Sequence, residues 1–132
     1  MSQRILIVDD QAQIRQLIRF SLEDEDYQLR EANSGAQALS TAMDFQPHLV
    51  LLDIMMPGGI DGLDVCREFK NRPEYGQPKV LILSAMVNQE AEDGARQAGA
   101  RAFIGKPFSP AKLCKLVQAL LTPVTPSTPG KP

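Results

Sequence analysis

The sequence predicts a doubly wound α/β domain in which five strands of a parallel sheet alternate with five helices. Three observations predict it. The stretch Leu49-Val50-Leu51-Leu52 is an apolar run with no alternation, the pattern of a strand covered by helices on both faces. Similar short runs recur along the chain, separated by segments whose apolar residues fall at helical spacing. The polar residues that interrupt this order sit where strands end: Asp9 and Asp10, Asp53, Ser84 and Lys106. Ligands of parallel sheets gather at those carboxyl ends.

Taken in order, Arg4 to Val8 reads as the first strand, and Ile14, Leu17, Ile18, Ser21 and Leu22 give an amphipathic helix from about Gln11 to Asp24. Arg15, Arg19 and Glu23 fall on its outer side, and Arg4, Arg15 and Arg19 read as solvated charges. Tyr27 to Ala32 alternates weakly, as a less buried strand does. Ser34 with Gln37 makes a capping box for a helix whose inner face is Leu39, Ala42 and Met43, closed by Pro47. The central strand ends at Asp53, and Pro57-Gly58-Gly59 opens a loop. Asp61 or Gly62 begins a third helix with Leu63, Cys66 and Phe69 inward, and Pro73 stops it.

Lys79 to Leu83 is the fourth strand. The fourth helix, about Gln89 to Ala98, offers only Ala91, Gly94, Ala95 and Ala98 to the sheet, a weak grip, before Gly99 terminates it. Arg101 to Ile104 is a short fifth strand. Ser109 and Pro110 start a last helix carrying the stripe Leu113, Leu116, Val117, Leu120 and Leu121. Residues 1–122 thus form one domain. The segment 123–132 holds four prolines in ten residues and reads as a tail or the start of a linker.

A chain of 132 residues has room for one core, hiding roughly two thirds of its unfolded surface. A net charge of −2 with no basic patch speaks against direct nucleic-acid or anionic-membrane binding. The apolar runs are far shorter than the ~20 residues a bilayer crossing needs, and the first residues lead straight into a strand with no leader pattern, so the expected location is the cytoplasm. Cys66 and Cys114 lack metal-site spacing and read as reduced packing residues.

Three carboxylates, a hydroxyl and an ammonium on one rim demand neutralisation, because two like charges ~4 Å apart repel by about 4 kcal/mol at an effective dielectric near 20. Lys106 supplies one positive charge, and a divalent cation is the natural remainder. With oxygen ligands alone on offer the ion is hard, and Mg²⁺ suits one or two carboxylates plus a phosphate. A carboxylate so placed can attack a phosphoryl group to give an aspartyl phosphate. Each residue alone has a plainer reading. Asp10 could cap the first helix, Ser84 could be a turn hydroxyl, Lys106 a solvated charge, Phe103 simple core, and the single histidine, His48, a residue at the start of a strand.

Asp9-Asp10 after a first strand, Asp53 followed by Met56-Pro57, Ser84-Ala85 and Lys106-Pro107-Phe108 together resemble the receiver domain of two-component response regulators. The resemblance covers Arg4 to Leu121. It implies a flavodoxin-like strand order 2-1-3-4-5, the order for which a chemotaxis receiver is a standard example. It further implies Asp53 as phosphoacceptor, phosphorylated from a phosphohistidine on a sensor histidine kinase or histidine phosphotransfer protein. Asp10 would bind Mg²⁺ directly and Asp9 through water, with Asp53 and the backbone carbonyl of Met55 completing the protein ligands. Lys106 would pair with a phosphoryl oxygen, Ser84 would move in to hydrogen-bond another, and Phe103 would be the switch aromatic. The Lys106-Pro107 bond is expected to be cis. The output surface would be the fourth helix, fifth strand and fifth helix, acting on a downstream effector, with a phosphorylation-dependent homodimer as an option. Such a chain is a self-modifying phosphoacceptor and not a turnover enzyme.

The chain departs from the common family pattern in three places. The loop Pro57-Gly58-Gly59-Ile60-Asp61-Gly62 is one residue longer than usual, Phe103 lacks a hydroxyl, and the apolar Met55 and Met86 stand where water must approach the phosphoryl group, which implies slow dephosphorylation. Rival readings remain. An Asp-dependent phosphohydrolase would want a second acid where Met55 stands. A flavin or nucleotide module would want a Gly-rich loop after the first strand. A receiver that only binds partners would not need the intact acceptor, acids and lysine.

Overall fold

The computed structural model describes residues 2–56 and 61–122. Strands β1 (Gln3–Val8), β2 (Tyr27–Ala32), β3 (Leu49–Asp53), β4 (Lys79–Ser84) and β5 (Ala102–Gly105) alternate with helices α1 (Ala12–Leu22), α2 (Gly35–Phe45), α3 (Gly62–Asn71), α4 (Gln89–Gln97) and α5 (Pro110–Leu121). All strands pair in parallel in the order β2-β1-β3-β4-β5, the doubly wound, flavodoxin-like arrangement the sequence predicts.

Because side chains alternate along a strand, each strand feeds two cores. Ile5, Ile7, Leu49, Leu51, Leu81, Leu83 and Ile104 meet Ile18 and Leu22 of α1 and Leu113, Val117 and Leu121 of α5. Leu6, Val8, Val50, Leu52, Val80 and Ile82 meet α2, α3 and α4 on the other face. β3 is buried at all five positions, which is why it reads as an unbroken apolar run.

Most helices start where a side chain satisfies a free backbone N–H. Ser34 Oγ accepts from Gln37 N at 3.1 Å, Asp61 Oδ1 from Asp64 N at 2.9 Å, Asn88 Oδ1 from Ala91 N at 2.8 Å and Ser109 Oγ from Lys112 N at 3.1 Å. The return bond of the box on α2 goes from Asn33 N to Gln37 Oε1 at 2.6 Å, one residue before the cap. Helix α1 is the exception. Its N-cap is Gln11 with no side-chain cap bond, so Asp10 does not cap it.

Several expectations are corrected. Helix α1 is shorter than Gln11 to Asp24, and β5 runs one residue later than Arg101 to Ile104. Helix α2 buries Ala38, Ala42 and Phe45, while Leu39 is half-buried and Met43 is exposed. The small alanines let the helix sit close to the sheet, and Phe45 closes its end with the Arg30 guanidinium 4.7 Å above its ring. Helix α3 adds Val65 to its buried face, with Leu63 half-buried. Pro73 begins a short 3₁₀ turn, Pro73–Tyr75, whose Tyr75 packs edge-on to Phe69. On α4 itself only Ala95 is fully buried, with Ala98 just beyond it; Ala91 and Gly94 are half-buried. Arg4 and Arg15 are half-buried and hydrogen-bonded to backbone carbonyls. Cys66 and Cys114 are free thiols, and burial pushes that of Cys66 up to about 11. No helix among the described residues is long and apolar enough to cross a membrane. The lengthened loop at 57–60 and the proline-rich segment 123–132 lie outside the described residues.

Candidate functional site

Parallel pairing sets the ends of β1, β3, β4 and β5 side by side, and each delivers one of the singled-out residues to the same edge. Asp9 follows β1, Asp53 is the last residue of β3, Ser84 the last of β4, and Lys106 follows β5. Asp9, Asp10 and Asp53 each offer a carboxylate oxygen within 4.8 Å of the others. Asp9 and Asp53 are buried and Asp10 is exposed.

Lys106 is shared between the two buried acids. Its Nζ lies 2.9 Å from Asp9 Oδ2 and 3.4 Å from Asp53 Oδ2. Asp9 Oδ1 also accepts the Gln11 N–H at 2.9 Å, and Asp53 Oδ1 accepts the Met55 N–H at 3.1 Å. Burial pushes the Asp53 carboxyl above the usual range, and the Asp9 charge adds to this. The Met55 N–H and the Lys106 ammonium oppose it. Lys106 shifts upward despite burial, because the Asp9 hydrogen bond and both carboxylate charges hold its proton. Seen from the lysine the cluster is favourable, and seen from Asp53 it is not, because one ammonium serves two buried carboxylates. With the exposed Asp10 counted, three carboxylates face one ammonium and the edge is two positive charges short. An all-oxygen donor set of this charge fits a hard divalent cation such as Mg²⁺.

Two expected residues stand apart from this cluster. The buried Ser84 Oγ donates to Met86 O and accepts from Met86 N, both at 3.0 Å. Phe103 is half-buried against the core under α4 and lines a cavity of about 110 Å³ with Ala95, Arg96 and Ala100. Met55 and Met86 are exposed beside the acids' edge. Lys106-Pro107 is cis, as expected.

Three supporting residues were not legible as part of the site. Gln11 contributes only its backbone N–H. Arg15 reaches back with a guanidinium nitrogen 2.7 Å from Asp9 O while pairing with Glu31, which Arg19 also holds. Gly62 packs so tightly on the end of β3 that an added Cβ would lie 2.3 Å from Ile54 Cα and 2.5 Å from Asp53 O. A glycine at a helix start is the one signal the sequence carries for that contact, and it does not name the partner.

Comparison with known proteins bears on the same residues. The family model described as response regulator receiver domain matches residues 5–118. The chain is 39% identical over 118 residues to the transcriptional regulatory protein ResD of Bacillus subtilis, covering 89% of this chain and 48% of that protein. It is 36% identical over 121 residues to the transcriptional regulatory protein SrrA of Staphylococcus aureus, covering 92% and 48%. It therefore spans about half the length of these curated relatives. Among solved structures, the chemotaxis protein CheY4 of Vibrio cholerae matches with a TM-score of 0.84 at 27% identity, covering 92% of this chain and all of that one. NtrX of Brucella abortus matches with 0.82 at 35% identity, covering 92% and 27%. A doubly wound sheet that carries its acids and lysine on one edge, matched over nearly all the described residues, places this chain in the response regulator receiver domain family of two-component systems.

Proposed function

We infer that this chain is a phosphorylation-controlled receiver in which Asp53 accepts a phosphoryl group from a phosphohistidine on a sensor histidine kinase or histidine phosphotransfer protein. The observation that supports it most is the sharing of Lys106 between Asp9 and Asp53 within a group of three carboxylates whose oxygens lie within 4.8 Å. Asp9, Asp10, Asp53 and the Met55 carbonyl would hold Mg²⁺, which when bound neutralises charge on the phosphoryl oxygens. An Asp53 oxygen forms the new P–O bond as the donor's P–N bond breaks, and the released imidazole takes up a proton. Lys106 then pairs with a phosphoryl oxygen. Ser84 leaves the Met86 backbone to hydrogen-bond another, and Phe103 turns inward behind it. The signal leaves through α4, β5 and α5 to a downstream effector, or through a phosphorylation-dependent homodimer. The curated relatives are transcriptional regulatory proteins about twice this length, which supports an effector beyond the segment that follows α5. The protein acts in the cytoplasm and turns over only its own phosphoryl group.

The test is intact mass after incubation with Mg²⁺ and acetyl phosphate, for the native chain and Asp53→Asn. The native protein gains one phosphoryl group, lost on treatment with hydroxylamine, and the variant gains none. Equal gain in both would move the acceptor elsewhere, and no gain in either, with no beryllofluoride complex, would leave a module that only binds partners.

A further inference from the structure

The amino ends of the strands form the opposite edge of the sheet, and they hold a cavity of about 420 Å³, within the roughly 300–1,000 Å³ of small-ligand sites. Arg4 of β1, His48 ahead of β3 and Lys79 of β4 line it, with the carboxamides of Gln3, Gln46 and Gln77. No carboxylate side chain lines it among the described residues, and Arg4 and Lys79 form no ion pair there. Their fixed contacts are neutral carbonyls. Arg4 Nε donates to Phe45 O at 3.0 Å and Gln46 O at 2.9 Å, and Lys79 Nζ donates to Leu120 O at 2.6 Å.

Each group keeps donors in reserve, since a guanidinium carries five N–H and an ammonium three. His48 Nδ1 accepts the Arg4 backbone N–H at 2.9 Å, which puts the proton of the neutral ring on Nε2 and makes that atom a donor. A second observation singles out the same place. Gln46 (φ 52°) and Gln77 (φ 51°) are the only non-glycine residues with positive φ among those described, and both line this cavity. Left-handed backbone at such residues is uncommon and gathers at functional sites.

We propose that this cavity binds a small multivalent oxyanion, through phosphate or carboxylate oxygens, between Arg4, His48 and Lys79. Two fixed positive charges without carboxylate partners among the described residues supply the attraction, and Nε2–H and the carboxamides supply direction. The ligand sits against the last turn of α5, whose Leu120 and Leu121 carbonyls are held by Lys79 and Gln3. The site is independent of Asp53, at the far edge of the sheet.

His48 is the single histidine of the chain, so its ring signals in a proton NMR titration are unambiguous. The probes are tripolyphosphate and citrate, with sodium chloride at matched ionic strength as reference. A saturable shift of the His48 signals, with a rise in its pKa, is expected from at least one probe and none from chloride. Gln77 is exposed, so Gln77→Glu and Gln77→Lys retain the fold. They weaken and strengthen binding respectively by about fivefold each. Saturation by one probe alone supports the site and assigns the anion class. A non-saturating shift, a shift matched by chloride, or equal affinity in the two Gln77 variants overturns it.

Discussion

The two edges of the sheet are built by the same parallel topology and end with opposite chemistry. The carboxyl edge gathers Asp9, Asp10 and Asp53 around one lysine. The amino edge gathers Arg4, His48 and Lys79 and ties them to backbone carbonyls. At the first edge two of the three carboxylates are buried and under-compensated, whereas at the second Arg4 and Lys79 stay half-exposed and lean on neutral acceptors. Burial is therefore what leaves the acid edge short of compensating charge, while the basic edge costs the fold little.

The largest expected effect is at Lys106. Its raised folded pKa means that its stabilising contribution is complete below the unfolded value and is lost as pH rises through the folded one, so at neutral pH it is fully present. Lys106→Met leaves Asp9 and Asp53 facing each other and is expected to cost about 3 kcal/mol in urea unfolding, part of it restored by Mg²⁺. A loss that Mg²⁺ does not touch would break the comparison. Next is Gly62→Ala, where the missing clearance to the β3 backbone predicts a loss of about 1–3 kcal/mol, seen as a lower midpoint in the same unfolding experiment.

Asp53→Asn has the opposite sign. The folded pKa of Asp53 is raised, so its contribution is present in acid and lost as pH rises through the folded value. Near neutral pH without a divalent cation the variant unfolds at a higher temperature than the native chain, and Mg²⁺ narrows the gap. At the basic edge Lys79→Met removes one hydrogen bond to the end of α5 and is expected to cost about 1 kcal/mol. Smallest is His48. Burial, and then Arg4, hold its pKa below 6.5, so its contribution is present above 6.5 and lost as pH falls through the folded value. His48→Gln flattens the pH dependence of the midpoint in that window.

The acid edge was legible because each of its residues sits next to the apolar run that carries it, and a reader who expects ligands at strand ends meets them in order. The basic edge was not, since Arg4, His48 and Lys79 are far apart in sequence and each alone is a charge at the start of a strand. Only pairing of β1 with β3 and β3 with β4 brings them together. Helix α2 shows the limit of periodicity. The stripes Leu39-Ala42-Met43 and Ala38-Ala42-Phe45 share Ala42, and the choice falls to the small residues because they admit the sheet at close range. Arg15 was misplaced for a related reason, as its partner on the site is a backbone carbonyl that no sequence pattern displays.

The Ser84 hydroxyl deserves a last consequence. It closes a two-bond ring with a single residue, giving its proton to Met86 O while taking the Met86 N–H. Neither bond can be kept once the hydroxyl swings towards Asp53, so both are surrendered together, at about 1 kcal/mol each. In the switch proposed above, departure therefore gives up the whole ring at once. On the proposed function, the ring sets a cost that phosphorylation of Asp53 has to overcome before any helix moves.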